Sequence, residues 1–203
     1  MICPDRRGRG DSAYAKDPMT YVPLTYQQDI NALLAELEIT SFVAIGTSLG
    51  GLVTMLIAAT HREWLAGALL NDVGPALEPA GLARIRTYVG VGQSHPSWVQ
   101  AARALEAANK AVYPNYELEQ WLAMAKRLYR LTSAGRIVLD YDMRVAEPLR
   151  VADGETGGAV DLWPLMAAFK AMPVTVVHGE TSDILSAATA ERMVREIGPG
   201  AEL

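Results

Sequence analysis

Gly46-Thr47-Ser48-Leu49-Gly50 sets a serine between glycines two residues to either side. A serine hydroxyl becomes a nucleophile when the backbone lifts it clear and a neighbouring base takes its proton. A sharp strand-to-helix turn does the lifting, at the cost of a strained backbone. On this reading both glycines answer crowding, because a Cβ at position 46 or 50 would collide with the turn. The following helix directs its positive end at the serine, and the Leu49 N–H is one donor for a developing oxyanion. The alternative is a tight glycine-rich connection with an incidental serine.

Such a turn needs a strand before it and a helix after it. Phe42 to Ile45 is an apolar run of strand length, as expected of a strand covered on both faces. Leu49 to His61 reads as a helix apolar almost all round, hence buried against a sheet. Together they explain the uncharged stretch from Phe42 to Ala59 without a membrane span. Ala66 to Leu70, closed by Asn71-Asp72, and Pro173 to Val177, closed by His178-Gly179, are two further strands. A helix is predicted to begin at Thr25, where Thr25-x-x-Gln28 fits a capping box. Strands alternating with helices imply a mainly parallel α/β sheet with helices on both faces.

From Pro79 to Leu149 the pattern gives three helical segments and no strand. Trp98, Ala101, Ala102, Leu105 and Val112 fall on one face; Leu118, Trp121, Leu122, Ala125, Leu128 and Tyr129 fall on another. Arg150 to Ala159, with Gly154, Gly157 and Gly158, reads as a loop returning to the sheet. The expected boundaries are a core over 1–74, a helical insertion over 75–165, and a second part of the core over 166–203.

These segments resemble the α/β-hydrolase superfamily, in its esterase- and lactonase-like branch with a helical cap. Asp5-Arg6-Arg7-Gly8-Arg9-Gly10-Asp11-Ser12 is similar to the segment after that fold's fourth strand, and Gly46 to Gly51 to the turn after its fifth. Leu70-Asn71-Asp72 is similar to the end of its sixth strand, and Val174 to Asp183 to its seventh strand and acid loop. The resemblance implies that Ser48 is the nucleophile and Asp183 the acid that orients a catalytic histidine, with Asp72 as the alternative acid. Glu180 is a weaker third candidate. Trp98 and Trp121 pack the cap and are candidates to line an apolar substrate pocket.

The histidine breaks the pattern. Triad order in this fold is Ser, acid, His, and no histidine follows Asp183. His61 closes a helix, His95 precedes Pro96 in a loop, and His178 ends a strand. The family's first three strands and its second oxyanion donor also find no counterpart. The chain begins at Ile2-Cys3, similar to strand four, and ends near Ala201-Glu202-Leu203, where strand eight would begin. The expectation is a fragment that is inactive by itself.

Composition narrows the remaining possibilities. The 203 residues carry 18 basic and 23 acidic side chains, a net charge of −5, with no overall attraction for nucleic acid or an anionic membrane. Cys3, the lone cysteine, forms no internal disulfide and no thiolate metal site, which fits a cytoplasmic protein. Met124, Met143, Met166 and Met172 read as packing residues, and Arg6, Arg7 and Arg9 as a solvated or internally paired loop. The reading is a serine hydrolase acting on an ester, lactone or related small-molecule carbonyl compound, without metal or cofactor. The alternative is a hydrolase-fold protein that binds a small ligand or partner without catalysis. Nothing in the sequence specifies an oligomeric state.

Overall fold

A computed structural model describes residues 1–151 and 161–203. In chain order its elements are α1 (Pro23–Glu36), β1 (Phe42–Thr47), α2 (Leu49–Thr60), β2 (Leu65–Asn71), α3 (Pro79–Tyr88), β3 (Ser94–His95), α4 (Trp98–Asn109), α5 (Leu118–Leu128), β4 (Tyr129–Leu131), β5 (Ile137–Leu139), α6 (Glu147–Val151), β6 (Val174–Val177), α7 (Ala187–Ile197) and β7 (Ala201–Glu202). Contacts divide them into two units, one of residues 1–14 and 89–146, the other of residues 15–88 and 147–203. The loop expected over Arg150 to Ala159 lies, from residue 152 on, outside the described residues.

The larger unit is built on a four-stranded parallel sheet in the order β1-β2-β6-β7. Side chains alternate across a strand, so register assigns each residue to a face. Ala44, Gly46, Ala68, Leu70, Val174 and Val176 share the buried face. α2 packs on β1 and β2, and α7 on β6 and β7. The opposite face departs from expectation at β1: Val43 is 62% and Ile45 71% exposed. An apolar run therefore marked a strand here without marking two covered faces. α1 starts at Pro23, two residues before the predicted Thr25, with Val22 as N-cap. Proline suits a first helical position, where no intrahelical partner exists for an N–H.

The smaller unit pairs α4 with α5 around Ala101, Ala102, Trp121, Ala125, Tyr129 and Ile137, all buried. It also holds an antiparallel sheet in the order β3-β5-β4, where the sequence pattern predicted no strand. Its strands are two and three residues long, too short for a period of two to register. Tyr129, assigned to a helical face by its spacing, lies in β4, while Val112 and Leu128 are exposed. Residues 1–4 form no strand, and Ile2 is 54% exposed. The arginine-rich loop after them is instead tied to the small sheet's flank. Gly10 N–H donates to the Asp140 carbonyl at 3.1 Å, Asp142 N–H to that of Gly8 at 2.8 Å, and the Arg9 guanidinium lies 5.3 Å from the Tyr141 ring centre.

Among the described residues no helix is long and apolar enough to cross a membrane.

Candidate active site

β1 ends at Thr47 and α2 begins at Leu49, so Ser48 alone makes the turn between them. Its φ of 50° and ψ of −119° lie where non-glycine residues are rare and strained by about 1–3 kcal/mol. The backbone is held there from both sides. Ser48 N–H donates to the Asn71 carbonyl at 3.1 Å, and the Ser48 carbonyl accepts from Gly51 N–H at 2.9 Å and Leu52 N–H at 3.2 Å. The side chain makes no capping bond to α2, and the residue is exposed. Leu49 N–H, in the first turn of α2, belongs to the amides that a helix leaves without an internal partner.

The motif's two glycines have different surroundings. A Cβ on Gly46 would come within 2.6 Å of backbone atoms of Gly50 and Gly51. A Cβ on Gly50 would meet nothing within 4 Å. The expected crowding holds at Gly46 and fails at Gly50, because position 50 faces away from the strand. The second crowded position is Gly51, which packs against the Val73 side chain.

Register aligns Thr47 with Asn71, and Asn71 with Val177. Ser48, Asp72 and His178 are therefore the first residues beyond three adjacent strand ends. They lie in a row along the carboxyl edge of the sheet, with strands roughly 4.8 Å apart. Asn71 Nδ2 donates to Thr47 Oγ1 at 3.1 Å, fastening the two strand ends just below the row. Asp72 also takes a positive φ, 53°, and its N–H donates to the Val177 carbonyl at 2.7 Å. Its carboxylate accepts from Gly179 N–H at Oδ1 (3.1 Å) and from Ser182 Oγ at Oδ2 (2.9 Å). A carboxylate offers about four acceptor positions, so two remain open for an imidazole N–H.

Asp183 is engaged differently. Arg84 of α3 grips both its oxygens, Nε to Oδ2 at 2.5 Å and Nη2 to Oδ1 at 2.7 Å. The hydrogen bond from Arg84 and its charge hold the Asp183 carboxyl below the usual carboxylate range, and the same pairing raises the arginine. Gly81 lies against the Asp183 carbonyl, and Glu78 N–H donates to Ile184 O at 2.9 Å. The first turns of α3 are thereby fixed to the loop after β6. The partners that sequence reasoning missed are Ser182, Gly179 and Arg84. The run Gly179-Glu180-Thr181-Ser182-Asp183 announced a tight polar loop but not which side chain turns inward.

Neither His178 nor His61 completes a triad at this edge. In the row, Asp72 stands between Ser48 and His178, whereas a triad needs the imidazole between serine and acid. His61 lies beyond the far end of the twelve-residue α2, roughly 18 Å along the axis. It stacks on Trp64, and its Nδ1 is in hydrogen-bond contact with Thr60 Oγ1 at 2.9 Å and Asn31 Nδ2 at 3.4 Å. His95 belongs to the smaller unit, edge-on to Tyr129, with Nε2 buried and without a partner among the described residues.

That unit has its own cleft of about 510 Å³, lined by Tyr14, Ser94, Arg130, Tyr141, Asp142 and Arg144 among others. Neither tryptophan proposed as a pocket wall lines it. Trp121 is fully buried, with Nε1–H donating to the Tyr116 carbonyl at 3.2 Å and its ring edge-on to Tyr113 and Tyr116. Trp98 packs against the same core. Among the described residues no group of three or more His, Cys, Asp or Glu side chains is arranged to hold a metal.

The sequence profile of the alpha/beta hydrolase family matches residues 1–202. The chain belongs to the alpha/beta hydrolase family. Among curated hydrolases it is 32% identical to the 3-hydroxybutyrate-oligomer hydrolase of Cupriavidus necator, over 96% of this chain and 67% of that protein. It is 26% identical to the 2-(acetamidomethylene)succinate hydrolase of Mesorhizobium japonicum, over 96% of this chain and 66% of that one. An alpha/beta hydrolase crystal structure from Novosphingobium aromaticivorans superposes with a TM-score of 0.90 at 56% identity, covering 98% of this chain and 69% of that one. The chain spans about two thirds of the length of these hydrolases.

Proposed function

We propose that this protein is a serine hydrolase of small carbonyl compounds, with Ser48 as nucleophile and Asp72 as the triad acid. The observation that carries the proposal is the strained, exposed Ser48 between a parallel strand's carboxyl end and a helix N-terminus. Asp72 is preferred over the expected Asp183 because it adjoins Ser48 on the next strand and keeps acceptor positions open. Asp183 has both oxygens bound to Arg84. Residues 75–165 serve as the cap insertion.

In the reaction Ser48 Oγ bonds to the substrate's carbonyl carbon while an imidazole takes its proton. The Leu49 N–H stabilises the oxyanion. Collapse breaks the bond to the leaving group, which receives that proton. Water then attacks the acyl carbon and gives a proton to the imidazole, which passes it to Ser48 Oγ as the acyl bond breaks and the acid leaves. Asp72 orients the imidazole and stabilises its charged form. Neither His61 nor His178 stands where that imidazole must be, so the assay supplies free imidazole in solution. The related hydrolases named above favour a carboxylic ester or amide bond in a substrate that itself carries a carboxylate.

The test is acylation by p-nitrophenyl butyrate in the presence of free imidazole, read by mass spectrometry of the peptide containing Ser48. A butyryl adduct on Ser48 is expected, absent from Ser48→Ala. No adduct, or an equal adduct elsewhere in Ser48→Ala, refutes the reading in favour of a non-catalytic binding protein. Full acylation without imidazole refutes the argument about the base.

A further inference from the structure

We propose that Ser182 is a positioning residue for the Asp72 carboxylate, locking its orientation toward the imidazole site. The inference rests on the reading of Asp72 as triad acid and adds a residue that neither motif nor family resemblance singles out.

A serine hydroxyl has one proton and can accept two hydrogen bonds. At Ser182 both acceptor positions are filled by backbone amides, Ile184 N–H at 3.2 Å and Leu185 N–H at 3.1 Å. The proton is thus left a single direction, and Asp72 Oδ2 lies along it at 2.9 Å. The hydroxyl is itself immobile. Ser182 N–H closes a turn onto the Gly179 carbonyl at 2.9 Å, and the same Gly179 donates its N–H to Asp72 Oδ1 at 3.1 Å. One short loop therefore holds both carboxylate oxygens, through an amide at one and a hydroxyl at the other. Arg84, gripping the adjacent Asp183, anchors that loop from outside. Hydrogen bonds to an ionised acceptor are shorter and stronger than neutral ones, so this contact outweighs an ordinary turn bond.

Within this arrangement Asp183 and Ser182 exchange the places that the sequence suggests. The conspicuous carboxylate faces a surface arginine, and the inconspicuous hydroxyl beside it faces the acid. Without the hydroxyl, Oδ2 loses its fixed donor and the carboxylate is free to rotate about its terminal bond.

The experiment labels the protein with ¹³Cγ-aspartate and assigns the Asp72 carboxyl resonance by its absence from Asp72→Asn. Ser182→Ala is expected to shift and broaden that resonance, and Ser182→Thr, which keeps the hydroxyl, to restore it. In the acylation assay with imidazole, Ser182→Ala is expected to lose roughly ten- to a hundredfold in rate, as misplacement of a reacting group does. Ser182→Thr should recover most of it, and Ser182→Ala should have no further effect in an Asp72→Asn background. An unmoved Asp72 resonance in Ser182→Ala overturns the proposal. So does a moved resonance with an unchanged acylation rate. Failure of the wild type to acylate refutes the hydrolase reading instead, and the resonance still decides whether Ser182 holds Asp72.

Discussion

Alanine at Gly46 and alanine at Gly50 should move stability in opposite directions, although the motif treats the two glycines alike. At Gly46 the added carbon would sit 2.6 Å from three backbone atoms of the first turn of α2. Carbon atoms prefer about 3.5–4.0 Å, so relief requires the turn to move by roughly 1 Å. That turn cannot swing freely, because Gly51 is packed on Val73 and Ser48 is tied to Asn71. Overpacking of this kind costs about 3 kcal/mol, which for a chain of this size lowers the melting temperature by roughly 6–12 °C. At Gly50 the added carbon enters open space in a helix, and its backbone needs no positive φ. Exchanging glycine for alanine in a helix gains up to about 1 kcal/mol, a rise of roughly 2–4 °C. Thermal unfolding followed by circular dichroism at 222 nm measures both. Equal losses from the two variants would refute the assignment of crowding to one side of the turn.

Asp72→Asn should reduce the rate of Ser48 acylation by about 10⁴, as loss of a triad acid does, and Asp183→Asn by less than tenfold. The reverse ranking would return the acid's role to Asp183. Because Arg84 depresses the Asp183 carboxyl, the stability gained from that pair is complete above the unfolded carboxylate range, near pH 4, and disappears as pH falls below it. Urea midpoints of wild type and Asp183→Asn should therefore differ at pH 7, and the difference should shrink steadily as pH is lowered below about 4. Trp121→Ala should destabilise the smaller unit by about 3–5 kcal/mol, seen as early loss of near-ultraviolet dichroism, since the ring is fully buried and bonded to Tyr116.

What the sequence made legible follows from the size of each signal. Phe42 to Ile45 and Leu49 to His61 are long uncharged runs, and the structure has β1 and α2 there with ends shifted by two residues or fewer. The small sheet of Ser94–His95, Tyr129–Leu131 and Ile137–Leu139 was illegible, because its strands are too short for alternation and the β3–β5 pairing joins residues about forty apart. The start of α1 was misplaced although its signal was present: Pro23 outranks the capping pattern at Thr25. At the site, the strained serine was readable from local sequence. The choice between two aspartates was not, since it depends on where Arg84, 99 residues before Asp183, directs its guanidinium.

The bare side of the sheet at β1 has a consequence at the bench. Val43 and Ile45 offer a fluorescent probe such as anilinonaphthalene sulfonate an apolar foothold on the native molecule. The probe should brighten before any heating, the response ordinarily taken as the mark of a loosened, molten state. Near-ultraviolet dichroism from the enclosed Trp121 would meanwhile be that of a rigid fold. Dye-based melting curves of this protein should start high and rise little, and stability rankings drawn from them would be compressed.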